Sequence, residues 1–375
     1  MKKPLIYIAA TVFLSIVLGV ISRLSVGFSD WYSVNVYRLA VNIFARISGI
    51  FPFSVAEILI IYLVPASIAA IVIIIIKGVK TKDKKRRALF GLKVFMGTLC
   101  TASTLLLLFI MNCGINYNRR EFLHGENVDI SHIGDEELWV IFNIVLDEFN
   151  AVLPLIHTDE NGAFVLTGDL SKSAPEAMRA AAKLYPSLDT YYPRPKPVIN
   201  SEIMSHFTIL GVYSPYTIEA NYNNAALDSE KPLTACHELA HLTGFMREDE
   251  ANFIAFIACR ESGDPELMYS AYLNIIFRLA NAFDSIDYYL AAHDLIPEQA
   301  HRQREMQYDY WWKYFYRIIE TVDEDTGEVI EIIKSAPASD ISEEVNDAYL
   351  KSQGMGDGVK SYGRVLDLII AFYME

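Results

Sequence analysis

Three stretches in the first third of the chain are apolar and uncharged for so long that they dictate where everything else can go: Pro4 to Ile21, Ile58 to Ile76 and Val94 to Asn118. At about 1.5 Å per helical residue, about 18 residues cover roughly 27 Å, close to the ~30 Å of hydrocarbon in a bilayer. Buried helices of a water-soluble core seldom stay charge-free for that length, so the runs predict three transmembrane helices, about 4–21, 55–76 and 94–115. Lys2 and Lys3 precede the first run in the manner of a signal peptide. The apolar part is longer than a usual signal core, however, and Ile21-Ser22-Arg23-Leu24 offers no small-x-small exit site, which reads as a retained anchor.

The charge divides in the same place. Residues 1–115 hold 13 Lys+Arg against 3 Asp+Glu, out of 32 and 46 in the whole chain, so 19 against 43 remain for the rest. A basic, apolar front, 1–115, is thus joined to an acidic back, 116–375, whose many Tyr, Phe and Leu residues suffice for a core of its own. That acidity argues against a nucleic-acid partner and leaves the lipid bilayer as the first partner to expect.

Orientation follows from the loops. Between Lys77 and Lys93 there are eight Lys/Arg and a single acid, Asp83, whereas Ser22 to Glu57 has only Arg23, Arg38 and Arg46. The positive-inside rule puts the N-terminus and the 77–93 loop in the cytoplasm, and three crossings leave the chain after about Asn118 outside. The first outer loop carries Trp31, Tyr32, Tyr37, Phe44, Phe51 and Phe53, aromatic enough to lie among lipid headgroups.

In the acidic part, Leu138, Ile141, Val145 and Phe149 form one stripe of a helix over Glu136 to Val152, and Pro175 to Tyr185 repeats the pattern more weakly. From Pro195 to Asn223 the composition suits short strands interrupted at Pro215. Helices are expected again from about Pro232, then over Pro265 to Phe283, Pro297 to Ile319, Glu343 to Gln353 and Tyr362 to Tyr373. Val322 to Val329 reads as an acidic turn without the ligand spacing of a calcium loop. The four cysteines, 100, 113, 236 and 259, form no C-x-x-C pair and are expected to be buried thiols, with a Cys236–Cys259 bond as the alternative.

The chemistry concentrates in His237-Glu238-Leu239-Ala240-His241. Helical positions i and i+4 share a face, so His237 and His241 can offer two imidazoles to one metal ion, with Glu238 beside them as general base. Asp228 and Ser229 are candidate caps for this helix, Pro232 suits its first turn and Gly244 its end. A catalytic zinc site needs a third protein ligand. If a second helix starts near Met246, Glu248, Ala251, Asn252 and Ala255 share one face, with Glu248 able to reach the metal and Asn252 to orient an imidazole. Glu250 is the rival ligand, favoured by a rotated helix. The bland alternative is a pair of surface histidines followed by an acidic helix start that suits the macrodipole.

These residues resemble the gluzincin pattern, in which a glutamate on a second helix is the third ligand and an Asp or Asn four residues on supports the site. More widely, the three spans, Gly211-Val212-Tyr213-Ser214-Pro215, Glu219-Ala220-Asn221, Cys236 to His241, Tyr349 to Gly354 and Ser361-Tyr362 resemble a bacterial family of three-span membrane proteins classed as zinc metallopeptidases, with no substrate assigned. The resemblance covers nearly the whole chain. It implies a mainly α, α+β zincin-like extracytoplasmic domain carrying Zn2+ on His237, His241 and Glu248. Two features depart from ordinary gluzincins: only six residues separate His241 from Glu248, and Asn252 stands where Asp is usual. Gly244 suits a metzincin turn instead, but Arg247 occupies the place of the third histidine there.

The implied reaction is hydrolysis of a peptide or protein substrate by zinc-activated water with Glu238 moving the proton. Tyr213, Tyr216, Tyr222 and His293 are the candidate oxyanion or substrate contacts, and Ile209 to Asn221 is a candidate edge strand for an extended peptide. A zinc-containing sensor-transducer and a non-catalytic membrane binding protein are the competing readings. An intramembrane protease is excluded by the charged flanks Asp228, Glu230 and Lys231 before the motif and Arg247 to Glu250 after it.

Overall fold

All three apolar runs are helical in the computed structural model, which describes residues 2–80, 83–123, 133–322, 329–353, 355 and 364–374. The interior of the acidic turn, Gly354 and Ser361-Tyr362 lie outside the described residues, as do positions 81–82 of the basic loop. The apolar helices are Lys2–Leu24, Val55–Lys80 and Lys84–Asn118, and their side chains, among them Ile6, Phe13, Ile60, Ile68 and Leu105, are exposed along much of their length, as suits a lipid environment.

The first and third of these helices lie side by side and run in the same direction. The Cys100 thiol meets the Pro4 carbonyl, Tyr7 Oη lies 2.7 Å from Thr104 Oγ1, and Asn118 Nδ2 donates to Ser22 Oγ at 3.3 Å. The sequence offset across these contacts stays at 96 to 97, which only parallel helices allow.

A fourth helix of spanning length, Asp135–Leu155, behaves differently. Its Leu138, Ile141, Val145 and Phe149 are buried, where they join a core shared with Pro265–Ala280 and Glu248–Glu261. The three acids of its first turn, Asp135, Glu136 and Glu137, favour the helix N-terminus electrostatically.

The loop between the first two apolar helices belongs to this same core. Val26–Tyr32 and Arg38–Ser48 are helical, and Tyr32, Tyr37, Val41 and Ala45 are buried in the cluster that holds the residues around the His-Glu motif. The opposite face of this segment exposes Trp31, Leu39, Ile43, Phe44, Ile47 and Ile50. The segment therefore packs as part of the body formed by the later residues.

A small sheet has the order Lys196–Val198, Glu219–Asn223, Gly211–Ser214, with the first pair parallel and the second antiparallel. Pro215 falls in the turn of the hairpin, and Gly211–Ser214 is the edge strand. The sheet is fastened to the start of the second apolar helix. Glu219 accepts hydrogen bonds from the N–H groups of Val55 at 3.2 Å and Ala56 at 2.9 Å, a carboxylate on a helix N-terminus. Lys196, only 1% exposed, pairs with Glu219 and donates to Ser48 O at 2.7 Å. Glu57 returns the contact by accepting from Ile199 and Asn200 N–H at 2.9 and 2.8 Å.

One expected helix is shorter than its sequence pattern. The chain leaves Glu298–Phe315 and continues as the strand Tyr316–Val322, paired with Val329–Ser335, where a helix to Ile319 was expected. In register, Ile318, Ile319, Thr321 and Val322 are paired with Ile333, Ile332, Ile330 and Val329, and β-branched residues in both segments favour an extended backbone over another helical turn.

Candidate metal centre

The motif helix is Lys231–His241, with Pro232 in its first turn. Its cap differs from the sequence reading: the helix starts after Glu230, without a side-chain cap. Asp228 is occupied elsewhere, accepting from Leu166 N–H and Lys231, and the Ser229 hydroxyl accepts from Gln303 and Gln307. At the other end Gly244 has φ +90°, a left-handed conformation that costs glycine little. A Cβ there would lie 2.3 Å from Ser33 Oγ and 3.0 Å from Arg119 Nη1, so the first loop and the exit of the third apolar helix both press on this turn.

The second helix, Glu248–Glu261, begins two residues later than expected, and its Ala251 and Ala255 are wholly buried against neighbouring elements. This start turns the rival carboxylates in different directions. Glu248 turns to the histidines: its Oε2 is 3.1 Å from His237 Nε2 and its Oε1 3.9 Å from His241 Nε2. Glu250 turns away, accepts from Phe122 N–H at 2.7 Å and feels Arg247 and Arg119. The two carboxylates diverge because a residue two positions along a helix points about 200° round the axis.

One ligand atom each from His237, His241 and Glu248 lie within 4.8 Å of one another. The His241 ring is fixed from behind by Phe245 O, 2.9 Å from Nδ1, which leaves Nε2 free to face Glu248. Asn252 lies beside His237 and favours its cation, while His237 Nδ1 itself is buried without a hydrogen-bond partner among the described residues. Burial opposes protonation of His237, but the hydrogen bond and charge of Glu248 outweigh it and hold the pKa up at about 9. Burial pushes His241 down to about 4 and Glu238 up to about 8. Two imidazoles and a carboxylate converging from two adjacent helices match the donors and number of a three-ligand zinc site.

Glu238 faces the edge strand. A Cβ on Gly211 would lie 2.3 Å from its Oε1 and 2.8 Å from its Cδ, so the carboxylate occupies the space that glycine leaves. The Tyr213 backbone N–H lies toward the same carboxylate and favours its charged form. The Tyr213 ring lies 5.9 Å from the His241 ring, and its hydroxyl is engaged with Tyr37 at 2.7 Å and Asn112 O at 3.3 Å. Tyr37 in turn reaches His241 O at 3.2 Å.

Of the remaining expected contacts, Tyr222 is paired across the ladder with Gly211, the glycine against Glu238. Tyr216 is exposed in the hairpin turn, Tyr222 lines a pocket with Pro52, Asp169 and Arg194, and His293 bonds Asn281 at 3.0 Å beside Tyr289 and His301. Two residues given no chemical role by the sequence reading, Gly211 and Tyr37, touch the site. An isolated glycine opening a strand signals a close approach; nothing local marks Tyr37.

Residues 32–370 match a protein family described as Protein of unknown function (DUF3810). The chain belongs to that family. The matched range starts at Tyr32, within the first-loop helices, so the family's shared sequence takes in the loop segment that packs near the motif helix as well as the motif. No curated protein and no solved structure matches the chain.

Proposed function

We propose that this protein is a membrane-anchored zinc metallopeptidase whose site lies at the outer face of the bilayer. The observation that carries the reading is the convergence of His237, His241 and Glu248 within 4.8 Å, with Glu238 held against an edge strand next to them. Bound by those three side chains, Zn2+ supplies Lewis-acid polarisation and a lowered pKa for water. Glu238 accepts the proton of the attacking water as the C–O bond forms and returns it to the amine nitrogen as the C–N bond breaks. Burial, which raises the Glu238 pKa to about 8, brings the carboxylate close to the working pH for both halves of that transfer.

Three spans and an outside catalytic body are supported by two independent features. The parallel first and third apolar helices, with the second between them in sequence, are what three crossings require. The eight Lys/Arg between Lys77 and Lys93 favour a cytoplasmic loop at the opposite end from the motif. The exposed apolar face of residues 31–50 then lies in the interface, with its buried face on the catalytic body. The small sheet with its edge strand beside the motif helix, and the second helix carrying Glu248, support a zincin-like reading of the outer body.

The same contacts from Tyr37 and Arg119 to the motif helix and its following turn would serve a sensor. The two readings separate in the full-length protein. Stoichiometric zinc that is lost in His237→Ala, together with Glu238→Gln retaining zinc and losing cleavage of a mixed peptide pool, is the expected result. Substoichiometric zinc that His237→Ala leaves unaltered would sink the enzyme reading.

A further inference from the structure

We infer, building on the peptidase reading, that the substrate is a polypeptide anchored in the same bilayer and cut within a few residues of the outer membrane surface along the edge strand Gly211–Ser214. The strand is bound directly to the third apolar helix where that helix leaves the membrane. Asn112 Nδ2 donates to Pro215 O at 2.7 Å, and Asn112 O accepts from the Tyr213 hydroxyl at 3.3 Å. The other two strands are bound to the start of the second apolar helix through Glu219 and Glu57. A sheet held at both sides by span ends has no freedom to rise from the membrane.

The reacting position is as close to the surface as the strand is. From Gly211, against Glu238, to Pro215, against Asn112, is four residues, or about 13 Å at ~3.3 Å each. Leu210 O pairs with Asn223 N–H at 2.7 Å, so by antiparallel alternation Gly211 and Tyr213 turn their own N–H and C=O groups away from the central strand. That is the side an extended peptide would use, and the Tyr213 N–H there already lies toward Glu238. Around it, the sheet and its connections expose Ile199, Ile203, Phe207, Val212 and Tyr216, an apolar rim suited to interfacial lipid and to the apolar end of an emerging span.

A folded water-soluble protein would have to thread an extended segment between its own body and the headgroups to reach this strand. A chain leaving the bilayer beside Asn112 arrives there extended, and sharing the bilayer raises its effective concentration.

The test uses full-length zinc-loaded protein in liposomes. One reporter joins a randomised extended segment directly to a single apolar Leu/Ala span in the same vesicles. A second inserts a long Gly/Ser spacer between span and segment, and a third is the soluble segment alone. The expected result is cleavage of the directly joined reporter roughly 100-fold faster than the soluble one at equal bulk concentration, falling about tenfold with the spacer. Replacing Val212 and Tyr216 together by Asp should slow the directly joined reporter while zinc content holds. Equal rates for joined and soluble reporters, or indifference to the spacer, would overturn the inference and leave the peptidase reading standing. No zinc-dependent cleavage of any of the three would overturn both.

Discussion

Gly211 on the edge strand and Glu238 on the motif helix are in mutual contact so close that a methyl group on the first would lie 2.3 Å from a carboxylate oxygen of the second. The strand thereby fixes where the proposed general base can stand. Gly211→Ala must push Glu238 aside, and a misplacement of about 1 Å is enough to cost on the order of 100-fold in rate. The expected outcome is a kcat lower by about that factor with zinc content unchanged. A wild-type kcat in this variant would mean that Glu238 tolerates displacement and does not do the proton transfer.

The two carboxylates that open the second helix make opposite predictions. Glu248 lies 3.1 Å from His237 Nε2, whereas Glu250 is spent on Phe122 N–H and the charge of Arg247. Glu248→Gln should weaken zinc binding by more than about 100-fold, beyond the effect expected of an outer-shell change. Glu250→Gln should leave zinc affinity unaltered. Competition with a chromophoric chelator measures both, and a reversal of the order would reassign the third ligand.

The contrast shows what was legible in the sequence. The spacing of His237, Glu238 and His241, and of Glu248 with Asn252, is local, and helical periodicity alone puts each set on one face. The choice of Glu248 over Glu250 rested on the helix phase, which hung on where the helix began after Gly244; the turn from φ +90° and the start at Glu248 supplied it. Contacts across long sequence separations left no trace. Tyr37 reaches His241 O across 204 residues and Asn112 reaches Pro215 O across 103, and no periodicity records either. For the same reason residue type alone did not separate His293, which the fold sets against Asn281 and Tyr289, from Tyr222, which it pairs with Gly211. The three apolar helices and the stripe of Leu138, Ile141, Val145 and Phe149 were legible because burial or lipid exposure sets their patterns within one element.

Zinc uptake should release protons and strengthen with pH. His237 is held as a cation up to about pH 9 by Glu248, and an imidazole must be neutral to bind metal, so below that pH zinc has to displace a proton. His241, pushed down to about 4, is already neutral at pH 7 and adds none. Apparent affinity is expected to rise about tenfold per pH unit between roughly 6 and 8, with at least one proton released at pH 7. Calorimetry in buffers of different ionisation enthalpy counts that proton, and a count of zero would refute the paired state of His237 and Glu248 in the metal-free protein.

The buried pair Lys196 and Glu219 predicts that stability and site geometry fail together. Glu219 satisfies the first N–H groups of the second apolar helix and compensates an ammonium group that is 1% exposed. Removing one partner leaves the other charge buried, which costs about 3–5 kcal/mol, whereas replacing both by apolar residues of similar size costs far less. Glu219→Ala in the full-length protein should therefore lower the thermal midpoint strongly, and Glu219→Leu combined with Lys196→Met should recover much of the loss. The double variant still lacks the carboxylate on Val55 and Ala56 N–H, so the sheet is less firmly held to the membrane helix. Cleavage by the double variant should stay below wild type at temperatures where it is fully folded. Full activity in the folded double variant would show that this anchor maintains the fold without setting the position of the edge strand.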